Sequence, residues 1–175
     1  MKVHSTRSAK RNPLLKIGAA GLGIVFLLLL SAGIFFHSKS AHHHRQAEVA
    51  SKGAQVMPFD LEKTIHRFEA LPDGGLQTVT VKDPTDTVQI ELIQSHLKEE
   101  AAKFASGDFS DPAAIHGTDM PGLSTLSAGY RDIDISYTAL PSGASIRYAT
   151  QEPSLIAAVG DWFEAQLSDH GHHAM

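Results

Sequence analysis

The sequence predicts an α+β protein. An N-terminal transmembrane helix leads into a ββα-ββα internal repeat, which forms a four-stranded antiparallel sheet with two helices on one face. Three observations predict it: an uncharged apolar run over residues 17–36, a duplicated Pro-x-Gly hairpin at a spacing of 69 residues, and an amphipathic helical pattern after each hairpin. From these follow a basic tail at 1–16, an anchor at 17–36, a His-containing linker at 37–57, an α+β repeat domain at 58–169 and a His-rich tail at 170–175.

Twenty apolar residues at about 1.5 Å per residue span the roughly 30 Å hydrocarbon core of a bilayer. Lys2, Arg7, Lys10, Arg11 and Lys16 precede them with no acid between, and this basic flank stays on the cytoplasmic side. The expectation is a single-pass inner (cytoplasmic) membrane protein whose domain faces the periplasm or the outside. A cleaved signal peptide is the competing reading. Its apolar part usually runs about 7–15 residues, shorter than this one, and no Ala-x-Ala site follows.

Charge divides along the chain. Residues 1–45 hold seven Lys or Arg and no acid, whereas the remainder holds 8 bases against 19 acids, a formal charge of −11. So acidic a domain is a poor partner for nucleic acid, whose affinity comes mostly from Lys and Arg on phosphates. With no Cys there are no disulfides, thiolate ligands or thiol nucleophile, and covalent haem attachment is excluded. The segment from Ser38 to Met57 is polar and rich in small residues and reads as a flexible linker.

Ala70-Leu71-Pro72-Asp73-Gly74 is matched by Ala139-Leu140-Pro141-Ser142-Gly143, and Asp83-Pro84 by Glu152-Pro153. In each copy the turn joins two strand-forming segments, 65–70 with 76–81 and 133–139 with 144–149, giving two hairpins. Phe68 corresponds to Tyr137, an aromatic facing the core in each. Asp83 with Pro84, and Glu152 with Pro153, are helix starts. Ile90, Ile93, Leu97, Ala101 and Phe104 form one apolar stripe; Ile156, Val159, Phe163 and Leu167 form the other. A short helix over residues 121–128 is expected between the repeats.

Chemistry is concentrated in histidine, of which there are 11. His96 and Glu100, four apart on a helix, are neighbours on one face, and His116 lies in the loop from Gly107 to Gly122 together with Asp108, Asp111, Asp119 and Met120. Nitrogen and carboxylate ligands suit zinc, and adding the Met120 thioether suits copper. The competing reading is an ordinary surface pair, with His116 bonded to a loop carbonyl. The repeat acts as a control: with one extra residue in the second copy, His96 falls on Gln166, so building this helix does not require His. His42, His43 and His44, with His170, His172 and His173, form short tracts that bind metal loosely or respond to pH near 6.5; His66 is a further secondary candidate. No phosphate loop, His-Glu-x-x-His helix or Gly-x-Ser-x-Gly elbow is present, and no catalytic residue is assigned.

At Met57-Pro58-Phe59-Asp60-Leu61, Gly107-Asp108-Phe109-Ser110-Asp111-Pro112, Ile115-His116-Gly117, Met120-Pro121-Gly122-Leu123 and Ala165-Gln166-Leu167-Ser168-Asp169-His170-Gly171, the chain resembles a group of small bacterial proteins. Many of these bear the name aspartate carbamoyltransferase. The resemblance covers nearly all of residues 57–174 and implies that His66, His96, Glu100, His116 and His170 form a shared set. A true transcarbamoylase is a two-domain α/β enzyme with a Ser-Thr-Arg-Thr phosphate loop; the lookalike here, Ser5-Thr6-Arg7-Ser8, precedes the anchor.

Three roles follow as expectations. The first is a membrane-tethered domain holding copper or zinc for capture or delivery. The second is an accessory or scaffolding subunit of a membrane protein complex, with no ligand. The third is a small enzyme with His96 or His116 as general base.

Overall fold

Two β-hairpins joined edge to edge form the sheet on which everything else is arranged. The structure is a computed structural model that describes residues 42–171 and 174–175. The predicted basic tail and anchor, and with them His172 and His173, lie outside the described residues. Among the described residues no helix is long and apolar enough to cross a membrane.

Strands β1 (Thr64–Leu71) and β2 (Gly74–Val81) form the first hairpin, and β3 (Asp134–Leu140) and β4 (Gly143–Ala149) the second. They form one antiparallel sheet in the order β1-β2-β4-β3. The central β2–β4 register makes the duplication visible as a pseudo-twofold axis. Gly74 pairs with Ala149, and their equivalents in the opposite copies, Gly143 (69 residues after Gly74) and Thr80 (69 before Ala149), pair with each other. Val81 N–H donates to Ser142 O at 2.9 Å, and the equivalent Thr150 N–H donates to Asp73 O at 2.9 Å. A Cβ on Gly74 would strike the carbonyl oxygen of Tyr148, and one on Gly143 would strike that of Val79. These too are equivalent atoms, so the glycine of each repeated turn is required by the close approach of the other hairpin.

Period-two alternation puts Thr64, His66 and Phe68 on the same side of the sheet as Val79, Val81, Ala144, Ile146 and Tyr148, and all eight are buried. Helices α2 (Thr87–Ala105) and α5 (Pro153–His170) cover this side. Each helix crosses to the other repeat's hairpin: α2 packs over β3 and β4, and α5 over β1 and β2. Phe163 and Val159 of α5 fill the space that a side chain at Gly75 would occupy, and fully burying such a residue contributes about 1.5–3 kcal/mol. The predicted aromatic pair is seen in part, with Phe68 buried and Tyr137 half-buried on the outer strand.

Helix starts differ from the expected ones in the first repeat. Asp83 accepts from the N–H and hydroxyl of Thr85 in a local turn, and the chain needs three more residues before Asp86 caps α2 through Gln89 N–H at 3.2 Å. In the second repeat Pro153 is the first helical residue, after Glu152. The loop after α2 contains helix α3 (Ser110–His116), with Pro112 in its first turn, where a missing N–H costs nothing. The expected short helix between the repeats is α4 (Leu123–Gly129).

The predicted flexible linker is corrected at its C-terminal end. Residues 42–56 are a helix, α1, in which Val49 is 1% exposed. The Arg45 guanidinium forks onto Asp169 of α5 at 3.0 and 2.7 Å, and Gln46 donates to Ser168 O at 3.1 Å. This docking supplies the tertiary support that a short polar helix lacks in isolation. The start of the predicted His-rich tail belongs to the fold. His170 is the last residue of α5, and Met175 exchanges backbone hydrogen bonds with His66 and Phe68 along the β1 edge, at 3.0 and 3.1 Å.

Candidate metal centre

Four histidines from four different elements line one cavity of about 50 Å³: His66 of β1, His96 of α2, His116 of α3 and His170 of α5. The sheet supplies Phe68, Gln77 and Val79, α2 adds Glu100 and Phe104, and α5 adds Trp162 and Gln166. Asp111 and Ile115 of α3 complete the wall with Met57 and Phe59. His66, His116 and His170 are 3%, 3% and 7% exposed, and His96 is half-buried.

Each side chain arrives there for a local reason. His66 occupies an inward position between Thr64 and Phe68 of an alternating strand. His96 and Glu100 are one turn apart at the edge of the α2 stripe. Trp162, Gln166 and His170 follow one another at intervals of four on α5, all three buried. His116 ends α3, and Gly117, at φ 97°, turns the chain away after it.

The rings are close enough to act together. The centres of His66 and His170 are 5.2 Å apart, those of His116 and His170 5.1 Å, and Phe59 touches both His66 and His96 at 5.8 and 5.7 Å. Two imidazoles sharing a tetrahedral ion through bonds of about 2.0–2.1 Å have ring centres about 5 Å apart. Among the described residues no three His, Asp or Glu side chains converge as a finished ion cage. Ring spacing is therefore met and nitrogen convergence is not.

Burial pushes the His96 and His116 pKa values down, so both rings are neutral at pH 7. His116 Nδ1 lies 2.8 Å from Asp169 Oδ2. A neutral ring donating Nδ1–H there carries its lone pair on Nε2, on the side away from Asp169. Arg45 holds Asp169 from beyond and donates to His116 O at 2.6 Å. Asp169 lies below the ordinary carboxylate range: burial opposes the shift, and the hydrogen bonds from Arg45 and His116 overcome it. Imidazole, carboxylate and guanidinium in series resemble the support that metal-ligating histidines receive.

Glu100 is the opposite case. Burial first, then its hydrogen bond to Asp111 and that residue's charge, push its pKa up to about 8. Asp111 moves down, stabilised first by the hydrogen bond from Glu100 and also by Lys103, whose Nζ is 2.7 Å from Asp111 and 3.2 Å from Glu100. One proton is shared, and Glu100 holds it. His170 Nε2 lies 3.1 Å from Gln166 Oε1, and Tyr148 donates its hydroxyl to Gln77 Oε1 at 2.9 Å.

Of the expected primary set, His96, Glu100 and His116 are brought together, and two expected secondary residues, His66 and His170, join them. Met120 does not. It is buried in an outer groove that it lines with Arg45, His116, Asp119, Asp161 and Asp169, outside the lining of the four-histidine cavity, and the turn at Gly117 takes the chain to that side. His42, His43 and His44 are exposed on α1. Sequence reasoning names Asp111 only as one of the loop carboxylates near His116 and does not assign Trp162 or Gln166 to the site; the polar Gln166 on the buried α5 stripe is the available signal.

Fold and site together define an α+β repeat domain with a histidine-lined cavity. Comparison with protein-family models, curated proteins and solved structures finds no match to this chain.

Proposed function

We propose that this domain captures a transition-metal ion, zinc or copper, in the cavity between α2, α5 and the sheet, and holds it for delivery at a membrane surface. One observation carries the reading: histidines distant in sequence enter one cavity from four elements, three of them buried. A buried ring costs desolvation that an apolar residue would avoid, and four at one point have a shared use. Neutral rings with available lone pairs are the form that binds zinc or copper. Space for a few water-sized occupants suits an ion better than an organic substrate. His66, His116 and His170 would hold the ion, with the His116 ring oriented by Asp169. The basic flank and apolar run before the domain support a tethered, outward-facing location.

The test is zinc and copper titration of the full chain with His42, His43, His44, His172 and His173 replaced by Gln. One ion per chain is expected, with binding lost in His116→Gln and His170→Gln variants that keep their circular dichroism. Absence of binding once the end histidines are gone would overturn the reading and favour a ligand-free accessory role.

A further inference from the structure

We propose that the outer edge of β3 is the contact between two copies of this chain, which pair β3 with β3 antiparallel about Tyr137 and so join their sheets edge to edge. This contact is independent of what the cavity holds. Strands β1 and β3 are the two edges of the sheet, and as equivalent strands of the two repeats they turn equivalent backbone groups outward. His66 pairs with Val79 and Phe68 with Gln77; 69 residues on from each, Ile135 pairs with Tyr148 and Tyr137 with Ile146. At the β1 edge the outward groups are taken: Met175 N–H donates to His66 O at 3.0 Å, and Phe68 N–H donates to Met175 O at 3.1 Å. At the β3 edge the same groups belong to Ile135 and Tyr137, with Ala139 next in the alternation. Among the described residues no backbone hydrogen bond joins these three to anything but β4.

An open edge is a template for another strand, and sheets that stay alone blunt it with Lys, Pro, a bulge or a covering segment. Strand β3 has none of the first three. Its residues pair one for one with β4, it contains neither Lys nor Pro, and its single charge is Asp134 at the start. Strand β1, by contrast, carries Arg67 and Glu69 in its second half in addition to the residues at 174–175 that cover it.

The strand that fits this edge is β3 itself. Antiparallel pairing about Tyr137 sets Tyr137 against Tyr137 of the second copy and Ile135 against Ala139, and these become hydrogen-bonded pairs that exchange both backbone bonds. On the helix side the joint covers Ile135 and Tyr137, which are half-buried, and Ala139, which is exposed. On the open face Ser136 meets Thr138, both exposed, and hydroxyl and aromatic pairs of this kind favour the contact. Asp134 falls opposite Leu140, so no like charges meet. The helices fit as well. Helix α2 packs over β3 and β4 and is tied to the strand's end by Gln94, which donates to Leu140 O at 2.9 Å. With strands about 4.8 Å apart, a twofold axis at the β3 edge sets the two α2 helices about 10 Å apart, the spacing of packed helices.

The test is sedimentation of the full chain in detergent micelles over a concentration series, with amide exchange read residue by residue. The parent is expected to be a dimer in which the amides of Ile135, Tyr137 and Ala139 exchange slowly. Two double variants alter exposed positions of the open face only: Ser136→Lys with Thr138→Lys, and Ser136→Glu with Thr138→Glu. Each alone sets like charges against each other and is expected to self-associate at least about tenfold more weakly, with those three amides fast; an equal mixture of the two is expected to regain the dimer. A monomeric parent overturns the proposal, and so does a dimeric parent in which the three amides exchange fast. Slow amides in a chain that sediments as a monomer overturn it too, because another segment of the same chain then covers the edge. A dimer that ignores both variants is equally fatal. The parent's mass and amide exchange use the unaltered chain and so do not depend on the variants folding.

Discussion

Replacing Glu100 by Gln probes the carboxyl pair in the cavity wall through the pH dependence of stability. The Glu100 pKa is pushed up to about 8 in the folded chain, against about 4.3 for a free glutamate. Below the unfolded value both states hold the proton and the group contributes no difference. Between the two values only the folded state holds it, so stability falls as pH rises, and the loss is complete once pH passes the folded value. At 1.36 kcal/mol per pH unit, a shift of about 3.5 units sets a ceiling of about 5 kcal/mol. Glu100 is 6% exposed, so solvent screening removes little of it. His96 and His116 act with the opposite sign: their lowered values contribute stability above the free histidine range, which is lost as pH falls through the folded values. They are present in both proteins and cancel in the difference. Gln keeps the shape and has an N–H to donate to Asp111 but cannot ionise. Urea unfolding of the full chain and of Glu100→Gln at pH 5, 6, 7 and 8 is expected to show the parent losing ground by up to about 4 kcal/mol across the series. Parallel stability curves would refute the assignment of the shared proton to Glu100.

Three further outcomes are expected. Gly74→Ala and Gly143→Ala each push a Cβ into the backbone of the opposite hairpin and should each cost at least about 2 kcal/mol by denaturant unfolding, the same loss at both sites reflecting the pseudo-twofold axis. Asp169→Asn weakens the grip on His116 Nδ1 and should lower zinc affinity by about 10–100-fold in a competition titration, leaving stoichiometry unchanged. Tyr148→Phe removes the buried bond to Gln77 and should cost about 1–3 kcal/mol in thermal unfolding.

The fold was legible where local chemistry repeats. A Pro-x-Gly turn between strand-forming runs needs no distant partner to be recognised, and its second appearance gave both hairpins and a helix after each. What escaped depends on partners far along the chain. Residues 42–56 carry ordinary polar composition, and distant contacts make them a docked helix: the ion pair of Arg45 with Asp169, 124 positions away, the bond from Gln46 to Ser168 O and the burial of Val49. In the sequence His170 groups with His172 and His173 as a His-rich tail; in the structure it is the last residue of α5, and Gly171 is the cap. His96, Glu100 and His116 were found through helix spacing and residue type. Gln166 had served as a control, a place where the fold accepts Gln in place of His. Because each helix crosses to the other hairpin, Gln166 faces the same cavity as His96, and the two copies jointly build one site. Met120 follows His116 closely in sequence and shares the outer groove with it, while only His116 also lines the cavity of the other three histidines.

The most direct test of the metal centre is X-ray absorption at the zinc edge, on the full chain with the five end histidines replaced by Gln and one equivalent of zinc added. The account predicts two or three imidazole nitrogens at about 2.0–2.1 Å from the ion, with this shell lost when His66 and His116 are both replaced by Gln. A shell of oxygens alone, or an imidazole shell unchanged by those two substitutions, would contradict it.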